Sequence, residues 1–187
     1  IAEQKDEFEK IGLEAIRAGK VGAVLLAGGQ GTRLGFEHPK GTFNIGLTHE
    51  LFIFEQQMKN LMEVIDKAGV FVPLYIMTSE KNNEETIQFW EKHSYFGYDK
   101  SYVRFFVQEM VPAVDYEGRI YMEESDKIAM SPNGNGGWFS SMEKCGLMED
   151  LHKRNIEWLN VFAVDNVLQR IADPVFIGAP LKAGCQS

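Results

Sequence analysis

The chain has 187 residues, of which 44% are apolar and 25% charged, the balance of a folded domain and not of a disordered one. Its 19 Lys and Arg against 27 Asp and Glu give a net charge of −8, which disfavours a general nucleic-acid surface. Two cysteines, Cys145 and Cys185, are too few for a disulfide scaffold or a thiolate zinc site, and no apolar run reaches the roughly 18–20 residues of a membrane span.

The opening residues Ile1–Lys10 are polar and acidic and do not read as a signal peptide, so the expected setting is reduced, soluble and cytoplasmic. Residues 3–18 place Phe8, Ile11 and Ala15 at helical spacing, with Gly19 as the stop. Val21 to Ala27 is a short, fully apolar run that suits a strand covered on both faces. A glycine-rich stretch over 28–46 follows. Leu51, Phe54, Met58, Leu61, Met62 and Ile65 then recur at three- and four-residue steps, the mark of an amphipathic helix. Val70 to Met77 reads as a second strand, weakened by Pro73, which has no donor for a ladder. Residues 83–92 read as helix and Tyr102 to Val107 as a third strand. In the stretch 110–130, Arg119-Ile120-Tyr121-Met122 suits one arm of a hairpin. Trp138 to His152 reads as one helix and Ile156 to Val164 as another buried strand. The order β-α-β-α-β-(insert)-α-β predicts an α/β fold with a mostly parallel sheet. A further apolar element opens at Asp173-Pro174, where Asp173 suits a turn or helix cap, and the chain ends at Ser187. That ending reads as the N-terminal portion of something longer.

The segment Leu25-Leu26-Ala27-Gly28-Gly29-Gln30-Gly31-Thr32-Arg33-Leu34-Gly35, then Pro39-Lys40-Gly41, carries the chemistry. In open α/β sheets ligands bind beyond the carboxyl ends of the strands. Glycines there let the backbone approach a ligand and turn its N–H groups toward phosphate oxygens. Arg33 adds a planar fork suited to phosphate, and Lys40 adds a point charge beside the stiff Pro39. The Walker pattern is absent, because no Gly-Lys-Ser/Thr opens a helix. The dinucleotide fingerprint fails as well, because Leu34 takes its third glycine position. That disfavours a dinucleotide-dependent oxidoreductase.

Three further segments stand in order: Phe106-Val107-Gln108 with Pro112, Ser131-Pro132-Asn133-Gly134-Asn135-Gly136-Gly137, and Val164-Asp165-Asn166 with Ala172-Asp173-Pro174. With the glycine loop they resemble the signature of the UDP-sugar pyrophosphorylase family, nearest its UDP-N-acetylglucosamine pyrophosphorylase branch, over residues 21 to about 185. The resemblance implies a Rossmann-like nucleotidyltransferase fold of the GT-A kind, three layers α/β/α, truncated at the C-terminus. It divides the chain into an N-terminal helix over 1–20 and a nucleotide-binding part over 21–187. It also implies uridylyl transfer from UTP to a sugar 1-phosphate, N-acetylglucosamine 1-phosphate favoured, giving a UDP-sugar and pyrophosphate. Glucose or galactose 1-phosphate as acceptor, or a non-catalytic nucleotide-binding module, are the alternatives. The family runs well past the point where this chain stops, and the missing part carries more of the sugar pocket.

By the same resemblance, Arg33 and Lys40 are catalytic, and Ala27, Gly28, Gly29, Gly31, Thr32, Gln108 and Gly136 bind the nucleotide. Asn135 and Asn166 serve the sugar, and Asp165 holds Mg²⁺ or Mn²⁺. Residue chemistry agrees with these roles without demanding them. An amide such as that of Gln108 matches the paired edge of uracil, and also suits a strand end. A carboxylate at a strand end suits a hard cation, and equally a loop cap. No nucleic-acid or membrane partner is expected. His38, His49, His93 and His152 lack metal-ligand spacing, and Cys145, Trp90, Trp138 and Trp158 read as core.

Overall fold

The computed structural model of the chain describes residues 4–185. The elements run α1 (Lys5–Arg17), β1 (Val21–Leu26), α2 (Ile53–Ala68), β2 (Leu74–Thr78), α3 (Asn83–Lys92) and β3 (Val103–Val107). An insert follows with β4 (Met110–Pro112), β5 (Met122–Glu124), β6 (Lys127–Ile128) and β7 (Met130–Pro132). The chain then forms α4 (Trp138–Lys144), α5 (Leu147–Lys153), β8 (Trp158–Ala163) and α6 (Pro174–Ala183).

β1, β2, β3 and β8 form one parallel sheet in the order β3-β2-β1-β8. The all-apolar β1 and β2 take the two central places, where every residue of both strands is buried. Side chains alternate between two covered faces, as the two-residue period of a strand requires. Ala23, Leu25, Leu74, Ile76 and Phe162 pack with Ile16 of α1, Phe54, Met58 and Leu61 of α2, Trp90 of α3 and Ile177 of α6. Val24, Leu26, Tyr75, Met77 and Phe106 pack on the other side with Met142 of α4 and Leu151 of α5. The result is the three-layer α/β/α arrangement the strand–helix alternation implies. Each of the large apolar side chains so buried contributes about 1.5–3 kcal/mol of transfer free energy.

Pro73 stays out of the ladder. β2 begins one residue later, and the Pro73 carbonyl still accepts the Ala23 N–H at 2.8 Å. The insert closes on itself through a ring of three backbone hydrogen bonds: Ala113 donates to Ala129, Ala129 to Tyr121, and Tyr121 to Ala113, at 2.8, 2.9 and 2.8 Å. The expected hairpin arm at 119–122 thus divides, with Ile120 bridging Val114 and Met122 opening β5.

Two expectations are corrected. The helix over 138–152 is two helices, because Gly146 adopts φ 73° and turns the chain between α4 and α5. That break leaves Cys145 at the end of α4 and exposed, not in the core. Trp90 is fully buried, whereas Trp138 and Trp158 pack at the core margin. The element opening at Asp173 is helix α6, and the Asp173 carboxylate caps it by accepting the Val175 and Phe176 N–H groups at 2.8 and 3.1 Å. Among the described residues, no helix is long and apolar enough to cross a membrane.

Helices α1 and α6 cross backbone to backbone at two glycines. A Cβ on Gly178 would lie 1.8 Å from the Phe8 carbonyl oxygen, and one on Gly12 would lie 1.9 Å from that of Pro174. Gly178→Ala therefore forces the helices apart, and its melting temperature falls by about 5 °C or more, the scale of core overpacking in a domain of this size. Gly29→Ala, where a Cβ meets open space, stays within about 2 °C of the parent. Equal melting curves for the two variants would contradict this crossing.

Candidate functional site

Because the sheet is parallel, the carboxyl ends of β1, β2, β3 and β8 open onto one edge. Hydrogen bonding runs one residue past β1, β3 and β8. Ala27 donates to Met77 at 2.8 Å, Gln108 to Thr78 at 2.8 Å, and Val164 to Leu26 at 3.1 Å. Each of the next residues, Gly28, Glu109 and Asp165, leaves the sheet at this edge.

The glycine loop after β1 folds on itself. Gly31 donates to the His38 carbonyl at 3.0 Å, and Lys40 N–H to that of Gly29 at 3.2 Å. The amide of Gly31 is thus spent within the loop, while those of Gly28 and Gly29 have no acceptor among the described residues. Thr32–Leu34 makes one 3-10 turn and Lys40–Thr42 another. Arg33 belongs to the first turn, and its side chain lies outside the described residues.

Lys40 and Asp165 meet across this edge, Nζ to Oδ1 at 2.6 Å. The lysine side chain is 20% exposed and the aspartate 65%. They stand in a cleft of about 330 Å³ lined also by Leu26, Gly29, Gln30, Thr32, Asn135, Ala163 and Val164. Gln108 lies beside it, only 6% exposed. Its carboxamide rests on the Gly28 backbone so closely that a Cβ on Gly28 would sit 2.4 Å from Nε2. The insert returns the chain to the same place, since Asn133 donates to the Glu109 carbonyl at 2.9 Å. Asn135 follows after Gly134. Glu109 is held by Ser140 (2.6 Å) and by an ion pair with Lys144, and these donors keep its carboxyl below the usual range.

The structure therefore gathers Gly29, Thr32, Lys40, Asn135 and Asp165 around one cleft, with Gln108 against Gly28 at its side. Ala27 is buried in the core beneath the loop. Gly136 is exposed beside Asn135, and Asn166 lies in the turn after Asp165, outside the cleft wall. Sequence reasoning passed over the residues that fix these positions. Buried Asn82 donates to the carbonyls of Ala27 (3.0 Å) and Gly29 (3.5 Å). Buried Gln57 donates to those of Ala163 (3.4 Å) and Val164 (3.3 Å). Gln57 is an amide inside α2 and Asn82 one in the turn before α3, places where an amide has many uses, so no motif singles them out. Gln30 is another: it lines the cleft with its Oε1 buried and without a partner among the described residues.

Among the described residues no three His, Cys, Asp or Glu side chains cluster as a closed metal cage. One carboxylate opening on a cleft suits a magnesium ion that takes its other ligands from phosphates and water.

Residues 3–186 match the family described as UTP–glucose-1-phosphate uridylyltransferase. The chain belongs to that family. Its curated relatives include UDP-N-acetylglucosamine pyrophosphorylase of Saccharomyces cerevisiae, 40% identical over 98% of this chain and 39% of the relative. A human relative, UDP-N-acetylhexosamine pyrophosphorylase-like protein 1, is 40% identical over 94% of this chain and 36% of its own length. The solved structure of the Trypanosoma brucei uridine diphosphate N-acetylglucosamine pyrophosphorylase with an inhibitor superposes with a TM-score of 0.89. It is 35% identical and covers 98% of this chain and 39% of that one. The chain thus spans less than two fifths of the length of these relatives. The family match confirms the resemblance carried by the four motifs.

The contact between Gly28 and Gln108 is open to a direct test. In Gly28→Ala the new methyl displaces the carboxamide, so the Gln108 side-chain amide signals shift in a ¹H–¹⁵N spectrum. Gly29→Ala leaves them in place. An unmoved Gln108 signal in the first variant would contradict the contact.

Proposed function

We propose that this chain carries the nucleotide half of a uridylyltransferase site, which joins UTP to a sugar 1-phosphate, N-acetylglucosamine 1-phosphate by preference. The observation that carries the reading is the Lys40–Asp165 pair across a cleft walled by a glycine loop with two amides that have no acceptor among the described residues. The names of the relatives at about 40% identity support the choice of acceptor.

An oxygen of the sugar phosphate attacks the α-phosphorus of UTP in line. The bond from that phosphorus to the bridging oxygen breaks, and pyrophosphate leaves with the electron pair. The phosphate is already anionic, so no general base is needed, and catalysis rests on positioning and on neutralising charge. The Gly28 and Gly29 amides, with Arg33, hold the β- and γ-phosphates. Gly31 and Thr32 shape the loop around them, Gly31 with its own N–H already engaged. Lys40 faces the α-phosphate and the charge that develops there. Gln108 and the backbone at Gly136 read uracil above the buried Ala27, and Asn135 and Asn166 serve the sugar. Asp165 would hold Mg²⁺ or Mn²⁺, which when bound supplies further neutralisation of the phosphate oxygens. Phosphates entering the cleft give Lys40 a second anionic partner and release the aspartate oxygen it now holds.

In a pyrophosphate-release assay of the chain extended to its relatives' length, with UTP, Mg²⁺ and N-acetylglucosamine 1-phosphate, Lys40→Ala and Asp165→Ala each lower turnover by about 100-fold or more, with unchanged circular dichroism. Near-normal turnover in either variant would remove that residue from the mechanism. Faster turnover with glucose 1-phosphate would overturn the acceptor.

A further inference from the structure

We infer that Asn82 is a positioning residue for nucleobase selectivity, acting by holding the carbonyls of Ala27 and Gly29, the residues on either side of Gly28, against whose backbone the base-reading carboxamide of Gln108 lies. The inference rests on the uridine reading of the cleft.

A carboxamide carries its donor and its acceptor on opposite sides, so one turned over matches cytosine as well as the upright one matches uracil. Gln108 cannot select a base unless something fixes which side it presents. Its own side chain makes no hydrogen bond to any described residue, although it is 6% exposed. What it touches is the backbone of Gly28, 2.4 Å from Nε2 to the place of a Cβ. The reading edge is therefore set by where the Gly28 peptides lie.

Asn82 sets them. It is fully buried, and its Nδ2 donates to the carbonyls on both sides of Gly28, those of Ala27 (3.0 Å) and Gly29 (3.5 Å). Its Oδ1 accepts the Ser79 N–H at 2.7 Å. With a donor facing one end and two carbonyls facing the other, Asn82 has one orientation only. The same short segment also grips the strand of Gln108. The Thr78 carbonyl accepts the Gln108 N–H at 2.8 Å, and the Thr78 hydroxyl, which donates to Asn83 Oδ1 at 2.7 Å, also lies 3.1 Å from the Phe106 carbonyl. Residues 78–82 thus form a bracket between the glycine loop and the base reader. An asparagine serving only to start α3 would accept an N–H from the first turn of that helix, and Asn82 makes no such bond.

Asn82→Asp separates the two roles. It keeps an oxygen for the Ser79 N–H but removes both donors to the loop. Asn82→Ala removes the same donors without burying a carboxylate, and decides the matter if the aspartate variant does not fold. Isothermal titration with UTP and with CTP is the readout. The parent chain prefers UTP. In the variant the Kd for UTP rises about tenfold and the preference over CTP falls at least about fivefold, the scale of one buried hydrogen-bonded contact. A folded variant that keeps the parent's UTP-to-CTP ratio overturns the inference and leaves the uridine reading standing. A parent chain that does not prefer UTP over CTP overturns both.

Discussion

Parallel strands that stop at one edge leave backbone carbonyls past the last rung of the ladder. A buried carbonyl with no donor costs about 1–3 kcal/mol, so the fold must supply donors at this edge. Here side-chain carboxamides do so. Asn82 serves the end of β1, Gln57 the end of β8, and Asn60 the turn beyond it, through the carbonyls of Val167 and Gln169 at 3.0 and 3.1 Å. Asn160 works in the opposite sense, its Oδ1 accepting the N–H of Ala172, a residue held at φ 51°. Satisfying the strand ends and fixing the site are one and the same task in this chain.

The electrostatics follow from that rigidity. A chain of net charge −8 offers little general attraction to polyphosphates. Affinity must come from a few groups at short range in one cleft, where focusing and partial desolvation make them count. Lys40 is the more buried member of its pair and Asp165 the more exposed. The cation is therefore built into the wall, while the carboxylate stays open to solvent, as the proposed metal role requires.

Much of this was legible in the residues. The apolar runs of β1 and β8, the glycine loop, and Asp165 after its strand all stand where their chemistry placed them, because each is a local pattern with a local cause. What escaped was set by tertiary contact. Asn82, in a turn, and Gln57, in a helix, look like ordinary polar residues until the carbonyls they serve, from distant strands, come beside them. Cys145 follows a helical stripe on paper, but Gly146 ends α4 there and leaves the thiol outside. Pro73 marked the start of β2 correctly as a weak point, and the strand begins after it. The ring of hydrogen bonds in the insert joins Ala113, Tyr121 and Ala129, residues with no sequence signal for such a junction.

The central claim is that the strand-end cleft is a uridine polyphosphate site. A thermal-shift titration of the chain with UTP, ATP and NAD, each with and without Mg²⁺, tests it most directly, since a ligand that binds only the folded state raises the melting temperature as its concentration passes Kd. The account predicts a rise with UTP that Mg²⁺ enlarges, and little or none with ATP or NAD. A rise with ATP or NAD equal to that with UTP, or no rise with any of the three, would contradict it.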